Sequence, residues 1–163
     1  MGIGDLNGLE RVGFVSALGH VYEESPWVAE RAWSRRPFAS LDDLCEVMNA
    51  VVRDASKEEQ LRLLRAHPDL GTRARIGECS TREQTAVGLD RLTPDEHALL
   101  LRLNTEYKDK FGFPFLYAVK GSDKFRILSA LEKRLASTPD AEFEEALTQV
   151  SRIARFRLEE AIL

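Results

Sequence analysis

SLDDLCEVMNAVVRD, residues 40–54, sets Leu41, Leu44, Val47, Met48, Val51 and Val52 three and four positions apart. That spacing collects apolar side chains on one face of an α-helix, and Ser40 before it is a start signal. Towards the N-terminus, Pro37 stops a short helix that carries Trp27, Val28, Ala32 and Trp33. Ser25-Pro26 reads as a cap followed by proline at the first helical position. Leu9, Val12, Phe14, Val15, Leu18, Val21 and Tyr22 predict one amphipathic helix over 8–24. Towards the C-terminus, Ser56-x-x-Glu59 is a capping box ahead of Leu61, Leu63 and Leu64. That helix must end near His67, because Pro68 disfavours helical geometry in the residue before it.

The same reading carries on to the end of the chain. A short helix is expected from Thr81 to about Gly88. Thr93-Pro94-x-Glu96 starts another, Ser122 a further one to about Leu135, and Thr138-Pro139 caps the last. Phe111-Gly112-Phe113-Pro114-Phe115 breaks the pattern and predicts an extended or turning segment buried at a helix junction. No period-2 strand and no Asn-Gly or Asp-Gly hairpin stands out. The expected fold is all-α: one domain over 1–163, about eight helices and a non-helical FGFPF segment. At 163 residues roughly 70% of the unfolded chain's surface can be buried, so a core forms without a disulfide or metal staple.

Composition narrows the function. A net charge of −4 with mixed signs argues against binding nucleic acid through its phosphates. No apolar run approaches the roughly 20 residues of a membrane span. The N-terminus lacks a basic and apolar leader, and the final Ala-Ile-Leu is not a peroxisomal tripeptide. Cys45 and Cys79 form no disulfide framework. A cytoplasmic protein is the expectation. His20, His67 and His97 are far apart in sequence, and His20-x-x-Glu23 lacks a partner motif, so it reads as a solvated or capped pair and no metal site is expected. There is no glycine-rich phosphate loop and no GxSxG elbow.

Ala66–Asp90, AHPDLGTRARIGECSTREQTAVGLD, holds the polar and turn-forming residues between the helices. His67 could cap a helix C-terminus, or the rigid His-Pro step could aim it as a general acid or base. Ser80-x-x-Glu83 fits a capping box. Yet Ser80, Thr81, Arg82, Glu83 and Gln84 also place a hydroxyl, a carboxylate and an amide where they could hold a urea-like ligand. In the last helix Phe143, Leu147, Val150, Ala154 and Ala161 form a stripe, and Arg157 falls on it, with Arg152, Arg155 and Glu159 opposite. An arginine there must find a partner, snorkel, or face a cavity holding an anion. Phe111 to Val119 packs in the core, and its free backbone groups could also clamp a planar ligand.

HPDLG at 67–71, S-x-x-E-Q at 80–84, GLDRL at 88–92, LN-x-x-Y at 103–107 and FGFPF at 111–115 occur together and in order. ESPWVAERAW at 24–33 and SRIARFRLEEAI at the end complete the set. The combination resembles the 2-oxo-4-hydroxy-4-carboxy-5-ureidoimidazoline (OHCU) decarboxylase family along nearly the whole chain. The resemblance implies an all-α, homodimeric, cofactor-free enzyme of urate breakdown that converts OHCU into (S)-allantoin and CO2. It places the catalytic histidine at His67, the acid at Glu83 and the arginine at Arg157. It places substrate contacts at Pro68, Ser80, Thr81, Arg82, Glu83, Gln84 and Arg157, and along the backbone of Phe115, Leu116, Tyr117, Ala118 and Val119. Val87 stands where the family often has a smaller residue, so one pocket wall differs. Two other readings stand beside this one: a non-catalytic all-α interaction module, and a lyase or hydrolase of a related ureide or hydantoin.

Overall fold

The computed structural model describes residues 1–71 and 78–162, with 78–80 described by backbone alone. The described residues form nine α-helices and one 3-10 turn, with no β-strand. The all-α expectation holds. The contacts divide the chain into two compact units, Met1–Ala66 with Val150–Leu163, and His67–Gln149.

In the first unit the helices are α1 (Ile3–Asn7), α2 (Arg11–Leu18), α3 (Trp27–Trp33), α4 (Leu41–Asp54) and α5 (Lys57–Ala66). α4 is the helix that the opening stretch predicts. Ser40 Oγ accepts from the Asp43 N–H at 3.1 Å, and Leu44, Met48, Val51 and Val52 are buried. The box before α5 is also present. The Glu59 N–H donates to Ser56 Oγ at 3.1 Å, and the Ser56 N–H to Glu59 Oε1 at 3.2 Å. Of the single helix expected over 8–24 only α2, Arg11–Leu18, is helical, with α1 a separate short helix before it. The joint between α1 and α2 is held from a distance. Trp33 Nε1 donates to the Leu9 carbonyl at 3.0 Å, and Arg36 Nη1 reaches the carbonyls of Asn7 and Leu9. Asn7 pairs with both backbone groups of Phe38, at 2.8 and 2.9 Å. Backbone groups so satisfied need no helix. Val21 and Tyr22 are buried beyond the helix end, whereas Val12 within α2 is exposed. α3 starts one residue later than expected, with Pro26 as its cap residue, because Ser25 Oγ donates to the Glu23 carbonyl.

The second unit holds α6 (Glu78–Ala86), the 3-10 turn Leu89–Arg91, α7 (Pro94–Phe111) and α8 (Lys124–Leu135). α9 (Pro139–Ala161) begins in this unit, and its residues from Val150 belong to the first. Thr93 and Glu96 form the expected reciprocal box at the head of α7. Gly112, in the left-handed conformation, closes it. Then comes the expected non-helical stretch, with Phe113, Phe115, Leu116, Ala118 and Val119 buried. Tyr107 stands against three rings of this region, Phe111, Phe113 and Phe115, with centroids 4.6, 5.9 and 5.4 Å away. α8 is capped by Asp123 rather than Ser122, whose hydroxyl meets Tyr117 Oη at 2.9 Å. No helix among the described residues is long and apolar enough to cross a membrane.

Candidate active site

His67 is the first residue after α5 and is 7% exposed. A histidine that only interacts with a helix end can stay in solvent, whereas this imidazole is buried. Three of the four residues after it are tied down. The Gly71 N–H donates to Gln84 Oε1 at 2.8 Å, the Leu70 carbonyl accepts from Asn104 Nδ2 at 3.0 Å, and Asp69 lies 3.4 Å from Lys108 Nζ. Gly71 has φ +71°, and a β-carbon there would overlap Leu100 Cδ2. Any other residue would be strained on that backbone and would have to displace the end of the Leu100 side chain. The side-chain oxygen of Asn104, Oδ1, is buried with no hydrogen-bond partner among the described residues.

α6 brings Gln84 to this turn. Gln84 is buried, Glu83 half-buried, and Thr81 and Arg82 exposed. The helix starts at Glu78, so Ser80 is its third residue rather than its cap, which corrects the capping reading of Ser80-x-x-Glu83. The Ser80 side chain lies outside the described residues, as does Cys79's. Because an N–H must meet an acceptor, the Gln84 amide is oriented: its oxygen is committed to Gly71, and its Nε2 remains to offer to a ligand.

The 115–119 segment is held by side chains from α8 and α9. Arg134 Nη1 donates to the Leu116 carbonyl, and its guanidinium lies 4.5 Å over the Phe115 ring. The Ala118 N–H donates to Gln149 Oε1 at 2.9 Å. Behind them Glu142 accepts from Arg134 Nε and, at 2.6 Å, from Tyr107 Oη. Burial, with the Glu142 carboxylate beside it, pushes the Tyr107 hydroxyl well above the usual tyrosine range.

Arg157, in the first unit, is 4% exposed. Of the three outcomes open to a charge on that stripe, the structure shows a partner. Nη2 lies 2.9 Å from Glu23 Oε1, and Nη1 donates to the Val21 carbonyl at 3.2 Å. Arg152, Arg155 and Glu159 are exposed, as the stripe requires. Glu23 is therefore not half of a solvated pair with His20, which is itself exposed. Glu23, Asn104, Arg134, Glu142 and Gln149 are residues that sequence reasoning did not assign to the site. Only Asn104 carried a signal, in the LN-x-x-Y motif.

Comparison with known proteins shows the family. The family model described as OHCU decarboxylase matches residues 7–159. A protein of Halalkalicoccus jeotgali named 2-oxo-4-hydroxy-4-carboxy-5-ureidoimidazoline decarboxylase is 50% identical over 96% of this chain and 89% of its own length. One of the same name from Haloferax volcanii is 47% identical over 95% of this chain and 92% of its own. A solved structure described as (S)-allantoin synthase superposes with a TM-score of 0.80 at 34% identity, covering 99% of this chain and 54% of that one. The chain belongs to the OHCU decarboxylase family.

Proposed function

We propose that this protein decarboxylates OHCU to (S)-allantoin and CO2 without a cofactor, as a step in the breakdown of urate. The observation that carries this reading is the 50% identity, over nearly the whole of both chains, to a protein named for that reaction. Residues 1–163 act as one domain, in the cytoplasm and as a homodimer; the resemblance supports the single domain and the dimer, and two cysteines without a disulfide framework support a reducing compartment.

The chemistry asks for little beyond placement. The substrate carries its carboxylate on a ring carbon that also bears a hydroxyl. When the bond to the carboxylate breaks, its electron pair passes into the imidazoline ring and CO2 departs. A proton then closes the carbanion on one face. Arg157 holds an anionic or carbonyl oxygen of the substrate through charge-assisted hydrogen bonds. His67 and Glu83 move the protons, one at the substrate hydroxyl or ring and one at the developing carbanion. Gln84 through its Nε2, Ser80, and the backbone of 115–119 fix the ureido group and ring, so that one face meets the proton. Pro68 stiffens the step that carries His67. Thr81 and Arg82 complete the segment, and their exposure gives them the weakest claim to touch the ligand.

The test is circular dichroism on OHCU made fresh from urate by uricase and hydroxyisourate hydrolase. Uncatalysed decay ends in racemic allantoin. Rapid loss of the OHCU signal with growth of the (S)-allantoin signal is the expected result. Decay no faster than the blank, from protein shown to be folded, would overturn the reading in favour of a related substrate or a lost activity.

A further inference from the structure

Residues 113–119 are mostly buried yet belong to no helix or strand. Buried backbone groups need partners, and here side chains supply them at two alternate residues. The Leu116 carbonyl takes Arg134, and the Ala118 N–H takes Gln149. Pins at residues i and i+2 are what an extended chain offers to one of its sides, since alternate residues aim their N–H and C=O groups in opposite directions. The N–H and C=O of the residue between, Tyr117, are thereby turned the other way. They have no protein partner among the described residues. Tyr117 is half-buried between buried neighbours, and its side chain is occupied separately by Ser122 and by stacking on Phe115.

The pins are themselves held by carboxylates. Glu142, 2% exposed, holds Arg134 while also accepting from Tyr107. Glu145 accepts from Gln149 Nε2 at 2.8 Å, which leaves the Gln149 oxygen to Ala118. A buried ion pair is often no more stabilising than well-packed apolar residues in its place. What this bracket does that apolar packing could not is fix the direction of one peptide carbonyl and one N–H. The Tyr117 backbone, one donor and one acceptor side by side, complements a urea or lactam edge, which presents one acceptor and one donor.

We infer that Arg134 and Gln149 are positioning residues that aim the Tyr117 N–H and C=O at the ureido or ring amide edge of the substrate, and so help to choose the face that is protonated. The inference rests on the decarboxylase reading above and goes beyond it in naming what sets the clamp.

The test compares wild type with Gln149→Met, which keeps volume but removes the acceptor, and with Arg134→Lys, which loses the planar fork. A double swap, Glu145→Gln with Gln149→Glu, keeps both hydrogen bonds: the Ala118 N–H still donates to residue 149, and only the bond between 145 and 149 changes direction. Steady-state constants and the enantiomeric excess of allantoin are read at enzyme concentrations where spontaneous decay is a minor part of the flux. Gln149→Met should raise KM by about threefold to tenfold, the range set by one lost hydrogen bond. It should also lower the (S) excess, and the double swap should restore it. Arg134→Lys should lower the excess as well. Packing alone would change the melting temperature and leave stereochemistry untouched. Folded single variants with wild-type KM and wild-type enantiomeric excess overturn the inference. Should Gln149→Met fail to fold, Arg134→Lys decides by the same two readouts. Wild type that does not accelerate OHCU loss overturns the decarboxylase reading itself, an outcome distinct from active wild type with indifferent variants.

Discussion

Arg157 and His67 are both ionisable and both buried, and they differ in how openly the chain announces them. Arg157 was visible as a charge on an apolar stripe. Its carboxylate, Glu23, was not, because it lies 134 residues away and no local pattern joins them. Arg157→Lys replaces a planar fork by a point charge that cannot serve Glu23, the Val21 carbonyl and a ligand oxygen together. We expect KM for OHCU to rise about tenfold or more, the worth of one charge-assisted hydrogen bond. A saturation curve that matches wild type would count against the binding role. His67→Ala should lower kcat/KM by about a hundredfold or more, the usual contribution of a positioned acid or base. Its thermal melt should remain cooperative. Near wild-type turnover in that variant would remove His67 from the mechanism. Gln84 was legible as an amide beside an acid. Its commitment to the Gly71 N–H was not, since that depends on how residues 13 apart fold together.

Helix starts were read well where the cap's chemistry is confined to three residues. Ser40, Ser56 and Thr93 all accept from the N–H three positions on. Thr93→Ala should cost about 1 kcal/mol, the typical value of such a cap, and Thr93→Ser should recover most of it. Urea midpoints of the two variants check this, and equal midpoints would mean that Glu96 and Lys124, 2.7 Å apart, hold the start of α7 without the cap. Breaks were read poorly when distant side chains made them. The joint between α1 and α2 depends on Trp33, Arg36 and Phe38, none of which lies within 20 residues of the carbonyls and amide concerned. α6 begins before the serine that resembles a cap. The FGFPF segment was legible as non-helical because glycine and proline act locally. Its bracket from Arg134 and Gln149 was invisible, since neither residue stands out on its own helix.

Across the whole chain, burial sets how stability depends on pH. Burial raises the hydroxyls of Tyr22 and Tyr107 above the usual tyrosine value of 10. A group whose folded pKa lies above its unfolded one stabilises the fold fully below the unfolded value and loses that contribution as pH rises. Stability should therefore fall above about pH 10, and Tyr22→Phe should lessen the fall. Urea midpoints across that range test it, and parallel curves for the variant and wild type would remove Tyr22 as a cause. At the acid end, hydrogen bonds from Arg31 and from the Ser56 N–H hold Glu59 down to about 2. Its contribution is present above the ordinary glutamate value and is lost as pH falls towards 2. The all-α class and the family were both legible, because helical spacing and ordered motifs span the chain. The division into two units left no mark, as neither boundary is a linker and that at Val150 falls inside α9. Gly71 carries one more consequence, for how freely this gene can drift. Every replacement brings a β-carbon into Leu100, on a backbone that side chains rarely adopt. In a library of all single substitutions, selected for activity, position 71 should be strongly depleted in everything but glycine. Gly121, with φ +80° and nothing within 4 Å, should admit asparagine. Sequencing the survivors would map where this turn permits least variation.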